Sequence, residues 1–333
     1  MIVLAGDIGG TKCRLCFFSD SDTGLTPLSG EVFVSRKLQS PTETIRAFLR
    51  ERSGLRPDAM CLGVAGPVTA GKATLTNLPW SLDEAALSDA LGIARVRLLN
   101  DLQAAALGML QLKEQQFAAL KDDPRWSGAW PPPAKIAVIA PGTGLGEALL
   151  YWDGQRHHAI STEGGHADFA PRNAEEDALL AFLRTEHGDH VSYERVLSGP
   201  GLVSLYRFLN QSRQGPEPAW LTERLAGEDA AAAISDGALE HADPICRRAI
   251  DMFASLLGAE AGNLVLKFLA EGGAVIGGGI APAILPVLAT PAFSGAFVQK
   301  GRFTGWLRSL PARVSLDPRA ALIGAAHHAA EIL

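Results

Sequence analysis

The sequence predicts a two-domain α/β protein, on three observations. A glycine-rich turn, Gly142-Thr143-Gly144-Leu145-Gly146, interrupts two apolar runs that are typical of buried strands. A comparable turn near the start, Gly6-Asp7-Ile8-Gly9-Gly10-Thr11, also lies between two such runs. Strand-like and helix-like segments alternate elsewhere, which favours a largely parallel sheet covered by helices. The repeated strand–turn–strand unit suggests two related half-domains that face one nucleotide.

Composition excludes several classes of protein. A chain of 333 residues is long enough for two packed domains, and 47% hydrophobic with 20% charged residues is ordinary for a soluble globular protein. The formal charge of −6 argues against a generic nucleic-acid or anionic-membrane surface. No apolar stretch approaches the about 20 residues of a membrane span, and Met1 leads directly into a strand. We therefore expect a cytoplasmic protein with neither a nucleic-acid nor a membrane partner.

The four cysteines do not predict a metal site. Cys13 and Cys16 have the gap of a zinc half-site or a redox pair, but a spacing of three in a predicted strand points them to opposite faces. Neither Cys61 nor Cys246 belongs to a second pair that would complete a zinc set. Buried, reduced cysteines are the better interpretation.

The first half predicts strands, two capped helices and a strand that ends in polar residues. Strand candidates end at residues 31–34, and Ser40-Pro41-Thr42-Glu43 has the pattern of a capping box before a helix. A strand at residues 60–64 follows. A second capping box, Ser81-Leu82-Asp83-Glu84, predicts a helix that Gly92 can terminate. The strand at residues 96–99 then leads into Asn100-Asp101.

The second half begins after a proline-rich stretch at residues 122–133, which predicts an exposed connector. A long helix is expected over residues 244–269, and a strand at residues 274–276 opens into Gly277-Gly278-Gly279. A final apolar helix over residues 319–333 would return to the first domain. We place the boundary slightly before the connector, with residues 1–111 and 313–333 in a small domain and residues 112–312 in a large one.

The two glycine-rich turns are candidate phosphate sites. Alternating glycines permit positive φ and bring bare N–H groups close to a ligand. A tight structural hairpin is the alternative for either turn alone, and the second copy favours the phosphate site. The Gly142 turn lacks the Gly-x-Gly-x-x-Gly spacing of a dehydrogenase, a strand rather than a helix follows it, and the chain has no P-loop motif.

Polar residues of the middle third suggest chemistry on a small polar substrate. Asp101 follows an apolar strand, where a carboxylate tends to face the ligand crevice of an α/β sheet, although a helix cap is an equal interpretation. Glu163, His166 and Asp168 surround a glycine pair. Metal ligation by His166 is one interpretation, and hydrogen bonding to a polyol suits these residue types better.

The ordered motifs resemble the bacterial glucokinase family over nearly the whole chain. They are Gly6-Asp7-Ile8-Gly9-Gly10-Thr11, Asn100-Asp101, Gly142-Thr143-Gly144-Leu145-Gly146, Glu163-Gly164-Gly165-His166-Ala167-Asp168-Phe169-Ala170-Pro171, Glu194-Arg195-Val196-Leu197-Ser198-Gly199-Pro200-Gly201-Leu202, Gly277-Gly278-Gly279-Ile280 and Lys300-Gly301-Arg302-Phe303. The resemblance implies the two-domain actin/hexokinase-like (ribonuclease H-like) α/β fold, with a small α/β domain, a larger α+β domain and the active cleft between them.

The resemblance also implies an ATP-dependent glucokinase that phosphorylates the 6-hydroxyl of glucose. Asp101 would be the general base, and it would bind the sugar together with Asn100, Glu163, His166 and Glu194. The implied nucleotide-binding residues are Gly6, Asp7, Ile8, Gly9, Gly10, Thr11, Gly142, Thr143, Gly144, Gly277, Gly278 and Gly279. Asp7 would approach Mg²⁺, through water, and the three consecutive glycines would lie by the adenosine.

Some residues depart from the pattern of that family. Lys12 stands where asparagine is usual, which leaves the preferred phosphoryl donor open, and Pro141 and Glu147 flank the second turn. Glu147 would repel a phosphate if it faced inward. A kinase for mannose or an amino sugar is the nearest alternative. A non-catalytic sugar-sensing regulator is another, and a homodimer would fit the resemblance.

Overall fold

The computed structural model describes residues 1–21, 24–75, 78–121, 134–227 and 229–333. The chain forms two compact units. Unit 1 comprises Met1–Lys113, Gln155–Ser161 and Asp317–Leu333, and unit 2 comprises Glu114–Gly154 and Thr162–Leu316. The predicted connector at residues 122–133 lies outside the described residues.

Within those residues the strands are β1 Ile2–Ile8, β2 Lys12–Ser21, β3 Gly24–Val34, β4 Ala59–Val64, β5 Val68–Thr69, β6 Lys72–Thr74, β7 Ser81–Asp83, β8 Val96–Asn100, β9 Phe117–Lys121, β10 Ile136–Pro141, β11 Leu145–Trp152, β12 His157–Thr162, β13 Ala274–Ile276 and β14 Ala312–Ser315. The helices are α1 Pro41–Glu51, α2 Glu84–Leu91, α3 Asp101–Met109, α4 Ala174–His187, α5 Gly199–Asn210, α6 Ala219–Leu225, α7 Ala230–Leu239, α8 Pro244–Phe268, α9 Ile280–Ala283, α10 Leu285–Leu288, α11 Pro291–Val298, α12 Thr304–Arg308 and α13 Ala320–Glu331.

The main sheet of unit 1 has the strand order β3-β2-β1-β4-β8, and β5, β6 and β7 form a small separate sheet. β1 is antiparallel to β2, and β2 is antiparallel to β3, whereas β1 is parallel to β4 and β4 is parallel to β8. The prediction of a largely parallel layer is therefore wrong for half of the pairs. Only two or three residues separate β1 from β2 and β2 from β3 along the chain, and only antiparallel neighbours can be joined over so short a distance.

The second sheet has the order β12-β11-β10-β13-β14-β9. β10 is antiparallel to β11 and parallel to β13, and β13 is parallel to β14. Five of these strands, numbered along the chain, repeat the 3-2-1-4-5 order of the first sheet. Each glycine-rich turn joins the first two of the five corresponding strands. The prediction of two related half-domains is confirmed at the level of strand order.

Both faces of β1, at the centre of the unit 1 sheet, are buried. Leu4 and Ile8 of β1 belong to one hydrophobic cluster, and Val3 and Ala5 belong to another on the opposite face. Burial on both faces explains why β1 is a continuous apolar run and does not alternate. Cys13 and Cys16 of β2 divide between the same two clusters, and all four cysteines are buried and unpaired. The interpretation of Cys13 and Cys16 is confirmed.

The two predicted capping boxes have different outcomes. The Ser40 hydroxyl accepts a hydrogen bond from the Glu43 N–H and begins α1, as predicted. Ser81 does not cap α2, because it lies in β7, and the carboxylate of Asp83 accepts bonds from the first N–H groups of that helix instead. Gly92 ends α2 with φ of 69°, in the left-handed region that glycine reaches without strain.

The long helix α8 is the centre of unit 2. It packs against α5, α7 and α11, and its buried residues include Phe253, Leu257 and the carboxylate-bearing Glu260. Its length and hydropathy are sufficient to cross a membrane, which corrects the expectation that no stretch approaches that length. However, 72% of its most apolar window is buried inside the protein, as in the core helix of a soluble domain.

Helices α3 and α13 of unit 1 cross at two glycines. A Cβ at Gly108 would lie 1.8 Å from the carbonyl oxygen of Ala320, and a Cβ at Gly324 would lie 1.9 Å from that of Ala104. These distances are far below van der Waals contact. The helices therefore approach this closely only because both positions lack a side chain.

We predict that Gly108→Ala lowers the free energy of unfolding by about 1–3 kcal/mol, because the added methyl group must separate α3 from α13. Gly295→Ala in α11 is the matched control, since its Cβ would meet no atom within 4 Å. That control should be neutral or stabilising by up to about 1 kcal/mol. Urea denaturation of both variants measures the difference, and equal stability would contradict the glycine crossing.

Candidate functional site

Polar residues gather at the carboxyl edge of the unit 1 sheet. Asp7 pairs with Gly63 in the register of β1 and β4, and Val64 pairs with Asn100 in the register of β4 and β8. The first glycine turn and the start of α3 therefore follow strands that end at the same edge. In α/β sheets this is the edge where ligands bind.

Asn100 is the N-cap of α3. Its side-chain oxygen accepts hydrogen bonds from the N–H groups of Leu102 and Gln103, and its amide donates to the Gly66 carbonyl over 3.1 Å. Asp101 is not the N-cap, because it is the first helical residue, and its carboxylate accepts from Leu102 N–H over 2.8 Å. The helix N-terminus stabilises negative charge at this position.

The first glycine turn is held by backbone contacts. Gly9 N–H donates to the Lys12 carbonyl over 3.0 Å, and the Ser35 hydroxyl donates to the Gly9 carbonyl over 2.7 Å. The expectation of positive φ is wrong here and in the second turn, since no glycine of either turn has it. Gly6 permits close packing, because a Cβ there would lie 2.5 Å from a methyl group of Leu62, which would have to shift.

Asp7 forms an ion pair with Arg14 across the β1–β2 hairpin, with 2.7 Å between the carboxylate and the guanidinium. Burial raises the pKa of Asp7 above its ordinary value, and Arg14 opposes that shift. The described residues contain no group of three side chains that could hold a metal ion. A single carboxylate fits Mg²⁺ that is bound mainly by the phosphates of a nucleotide.

In unit 2, three backbone segments meet at the second glycine turn. Gly142 accepts a hydrogen bond from Gly199 N–H at the start of α5 over 2.8 Å. Gly277 N–H donates to the Ile139 carbonyl over 2.8 Å. Gly278 has φ of 77°, and a Cβ there would lie 2.2 Å from the Pro141 carbonyl oxygen. The turn thus lies beside two further glycine-containing segments, one of them the N-terminus of α5.

Glu194 is attached to the same turn. Its carboxylate accepts a hydrogen bond from Leu145 N–H over 2.9 Å, and a Cβ at Gly144 would lie 2.5 Å from that carboxylate oxygen. Glycine at position 144 therefore makes room for Glu194. The structure links a predicted sugar-binding residue directly to a predicted phosphate-binding turn.

Glu163 and His166 lie on one short helical turn after β12. Their side chains are 71% and 59% exposed, with 3.9 Å between the carboxylate and the imidazole Nε2. His190 contacts the Asp168 carboxylate over 3.0 Å and the His166 carbonyl over 3.1 Å, so it supports this turn from the side. The arrangement offers two adjacent hydrogen-bonding groups to solvent or to a ligand.

Glu147 does not lie in the exposed part of the second glycine turn. It is 1% exposed, and a Cβ at Gly164 would lie 2.0 Å from its Oε2. Burial, and then the nearby Glu260, raise the pKa of Glu147 to about 7, while Lys267 opposes that shift. The carboxyl is therefore buried beneath the turn of Glu163 and His166.

A buried polar network surrounds Glu260 of α8. Its carboxylate accepts from the Asn263 amide over 2.7 Å and from the Lys267 ammonium over 3.2 Å. The Lys300 ammonium donates to the Asn263 side-chain oxygen over 2.6 Å and to the Ala259 carbonyl over 2.8 Å. Burial lowers the pKa of Lys300 to about 8. Hydrogen bonds and opposite charge thus compensate the burial of Glu260.

The structure brings the predicted residues together in three groups. The groups are the unit 1 edge with Asp7, Asn100 and Asp101; the unit 2 turn with Gly142–Gly144, Gly277–Gly279 and Glu194; and the exposed pair of Glu163 and His166. Sequence reasoning missed the support from Arg14, His190 and the start of α5. Of these, only Arg14 could have been found from the sequence. A short turn joins β1 and β2, and the resulting hairpin register places Arg14 opposite Asp7.

Comparisons with known proteins agree on one family. A family model described as Glucokinase matches residues 4–332. The glucokinase of Nostoc punctiforme is 39% identical over 344 aligned positions, which cover 99% of each chain. The crystal structure of a glucokinase from an Antarctic psychrotroph is 31% identical, with a TM-score of 0.84 and 99% of each chain covered.

A more distant solved structure shows the same fold. The ROK family glucokinase from Streptomyces griseus, in complex with glucose and AMPPNP, is 21% identical, with a TM-score of 0.65. The comparison covers 99% of this chain and all of that one. The two-domain actin/hexokinase-like fold class is thereby confirmed.

We predict that Glu147→Gln changes how stability depends on pH. Because the folded-state pKa of Glu147 lies above its ordinary value of 4.5, folding becomes less favourable as pH rises from about 4.5 to about 7. Glutamine removes this penalty, which is at most on the order of 3 kcal/mol at pH 8. Melting temperatures by calorimetry should show a larger gain for the variant at pH 8 than at pH 5. Glu240→Gln, at an exposed position, is the control. If the melting temperatures of Glu147→Gln and the unaltered protein differ equally at pH 5 and pH 8, the raised pKa of Glu147 is wrong.

Proposed function

The chain belongs to the glucokinase family and is an enzyme that phosphorylates glucose with ATP, and we propose that the transfer is to the 6-hydroxyl with Asp101 as the general base. The product is then glucose 6-phosphate. Such a transfer requires an in-line hydroxyl, a neutralised triphosphate and little covalent chemistry from the protein. Positioning and one base are sufficient.

The observation that carries the role of Asp101 is its place at the carboxyl edge of the sheet, directly after the N-cap. Because Asn100 supplies the cap, the carboxylate of Asp101 is not required for it. A carboxylate at a helix N-terminus is stabilised in the ionised form, which is the form that accepts a proton. Asp101 takes the proton of the 6-hydroxyl as the phosphoryl group is transferred.

We assign the sugar hydroxyls to Asn100, Glu163, His166 and Glu194. Carboxylates and a neutral imidazole accept and orient hydroxyl protons, and an amide both donates and accepts. The exposed pair of Glu163 and His166 has this capacity, and the second hydrogen of the Asn100 amide can donate to a ligand. The bond from Leu145 N–H orients the carboxylate of Glu194.

Backbone N–H groups of the two glycine turns bind the phosphates of ATP in this proposal. The turns comprise residues 6–11 and 142–144, and Gly277–Gly279 lie by the adenosine. The N-terminus of α5, which contacts Gly142, adds a positive backbone dipole beside the second turn. Asp7 would hold Mg²⁺ through water, and the metal would neutralise charge on the triphosphate.

Two further statements complete the proposal. A homodimer is the assembly that we propose, because twofold dimers are the commonest form of soluble homo-oligomers, and analytical ultracentrifugation tests it. The cytoplasm, which supplies ATP, is the location that fits the reaction. Because Glu147 is buried, its carboxyl does not repel a phosphate bound at the turn. Lys12 is then the difference from the family pattern that bears on the choice of phosphoryl donor.

We predict that Asp101→Asn lowers kcat by about 10²- to 10⁴-fold while the Kd for glucose changes little, since a general base acts only on the transferred proton. Exposed Asp89→Asn in α2 is the matched control and should retain the kcat of the unaltered enzyme. A coupled ADP assay and calorimetric titration with glucose measure the two quantities. Undiminished kcat would remove Asp101 from the mechanism.

We predict that glucose has the highest kcat/KM in a panel with mannose and glucosamine, measured with ATP and with polyphosphate as donors. One misplaced hydroxyl leaves hydrogen-bonding groups that the sugar covers unpaired, which lowers kcat/KM. A higher kcat/KM for another hexose would favour the alternative kinase. Glucose binding with no release of ADP would instead indicate a sugar sensor.

A further inference from the structure

The carboxyl of Glu147 is buried in direct contact with the turn that carries Glu163 and His166. A Cβ at Gly164 would lie 2.0 Å from Glu147 Oε2, so the carboxyl touches the backbone of that turn. Its Oε1 is buried and has no hydrogen-bond partner among the described residues. An acid in this state is costly for folding, which calls for a compensating role.

The backbone of the turn also rests on the strand that carries Glu147. The Thr162 hydroxyl donates to the Glu147 carbonyl over 3.1 Å and accepts from Gly164 N–H over 3.1 Å. A Cβ at Gly165 would lie 2.2 Å from the Leu145 carbonyl oxygen. The position of the turn is therefore set by β11, with both glycines permitting the close contact.

We propose that Glu147 is a positioning residue for the sugar, whose buried carboxyl supports the Gly164 turn from below and thereby fixes Glu163 and His166. This inference rests on the proposed role of those two residues in glucose binding. Glu260 already carries a buried negative charge that Lys267 and Asn263 compensate. A second charge on Glu147 would repel it, and relief of that repulsion would displace the turn.

The pH range of the effect follows from the surroundings of Glu147. Its pKa of about 7 arises from burial and from Glu260, against the attraction of Lys267. Other charged or titratable groups lie on the elements around the turn and the Glu260 network. They are Glu163 and His166 of the turn itself, Glu194 at Leu145, Tyr193 before α5, Arg172 before α4, and Lys300 after α11.

Calorimetric titration with glucose, in the absence of ATP, tests the proposal without turnover. If only the neutral form supports binding, the Kd of the unaltered protein rises about tenfold between pH 6 and pH 8. In Glu147→Gln, which stays neutral, that rise should be lost. In Glu147→Ala the Kd at pH 6 should be roughly three- to tenfold higher than in the unaltered protein. The reason is that one or two side chains of the unsupported turn must then be ordered on binding. Equal pH dependence in the unaltered protein and Glu147→Gln would overturn the proposal.

A double-mutant cycle provides a second test that does not depend on the glutamine variant. Gly164→Ala places a methyl group against Glu147 Oε2 and should raise the Kd for glucose at pH 6 at least about fivefold. In the Glu147→Ala background, where the methyl group finds space, the same substitution should change Kd less than about twofold. If Gly164→Ala raises Kd by the same factor in both backgrounds, Glu147 does not act through its contact with Gly164, and the proposal is wrong.

The control and the unaltered protein separate the two proposals. Exposed Glu240→Gln should match the Kd of the unaltered protein at both pH values. If the unaltered protein binds and phosphorylates glucose while the Glu147 variants behave like the control, only the positioning role is wrong. If the unaltered protein does not bind glucose, the proposed sugar site is wrong and the positioning role falls with it.

Discussion

The parallel pairing of β1 with β4, and of β4 with β8, is the constraint on which the unit 1 site depends. Parallel strands end at one edge, so Asp7 and Asn100 become neighbours across β4 although they are distant in sequence. The start of α3 at that edge requires a cap, and Asn100 provides it. The repeat of this strand order in the second sheet gives its glycine turn a corresponding place beside Gly277–Gly279.

Unit 2 adds a feature that its sheet alone does not require. Glu260 lies fully buried in the central helix, and its charge is balanced by Lys267, with Lys300 close by through Asn263. Replacement of such a network by apolar residues is often neutral or stabilising, so its presence is weak evidence for a role in stability. Glu260 also helps to raise the pKa of Glu147, whose carboxyl contacts the turn at Gly164.

The errors of the sequence interpretation share a physical cause. Ser81 has the pattern of an N-cap, but it pairs with Thr74 in a β-sheet. The N-cap of α2 is Asp83 instead. The glycines at 6 and 144 were assigned to backbone freedom, whereas they make room for Leu62 and Glu194. The apolar length of α8 was underestimated, and its burial against neighbouring helices explains why the helix is so apolar. In each case a contact distant in the chain overrides the local preference.

By itself, the sequence determined the alternation of strands and helices, the two strand–turn–strand repeats, the cap at Ser40 and the family, since local patterns and ordered motifs carry that information. Only the tertiary structure decided the attachment of Glu194 to Leu145 and the burial of Glu147 beneath Gly164. These are properties of position in space. The charge and the hydrogen bonding of a side chain depend on the atoms that folding places around it. Those atoms belong to residues that are distant in the sequence, so the local sequence does not reveal them.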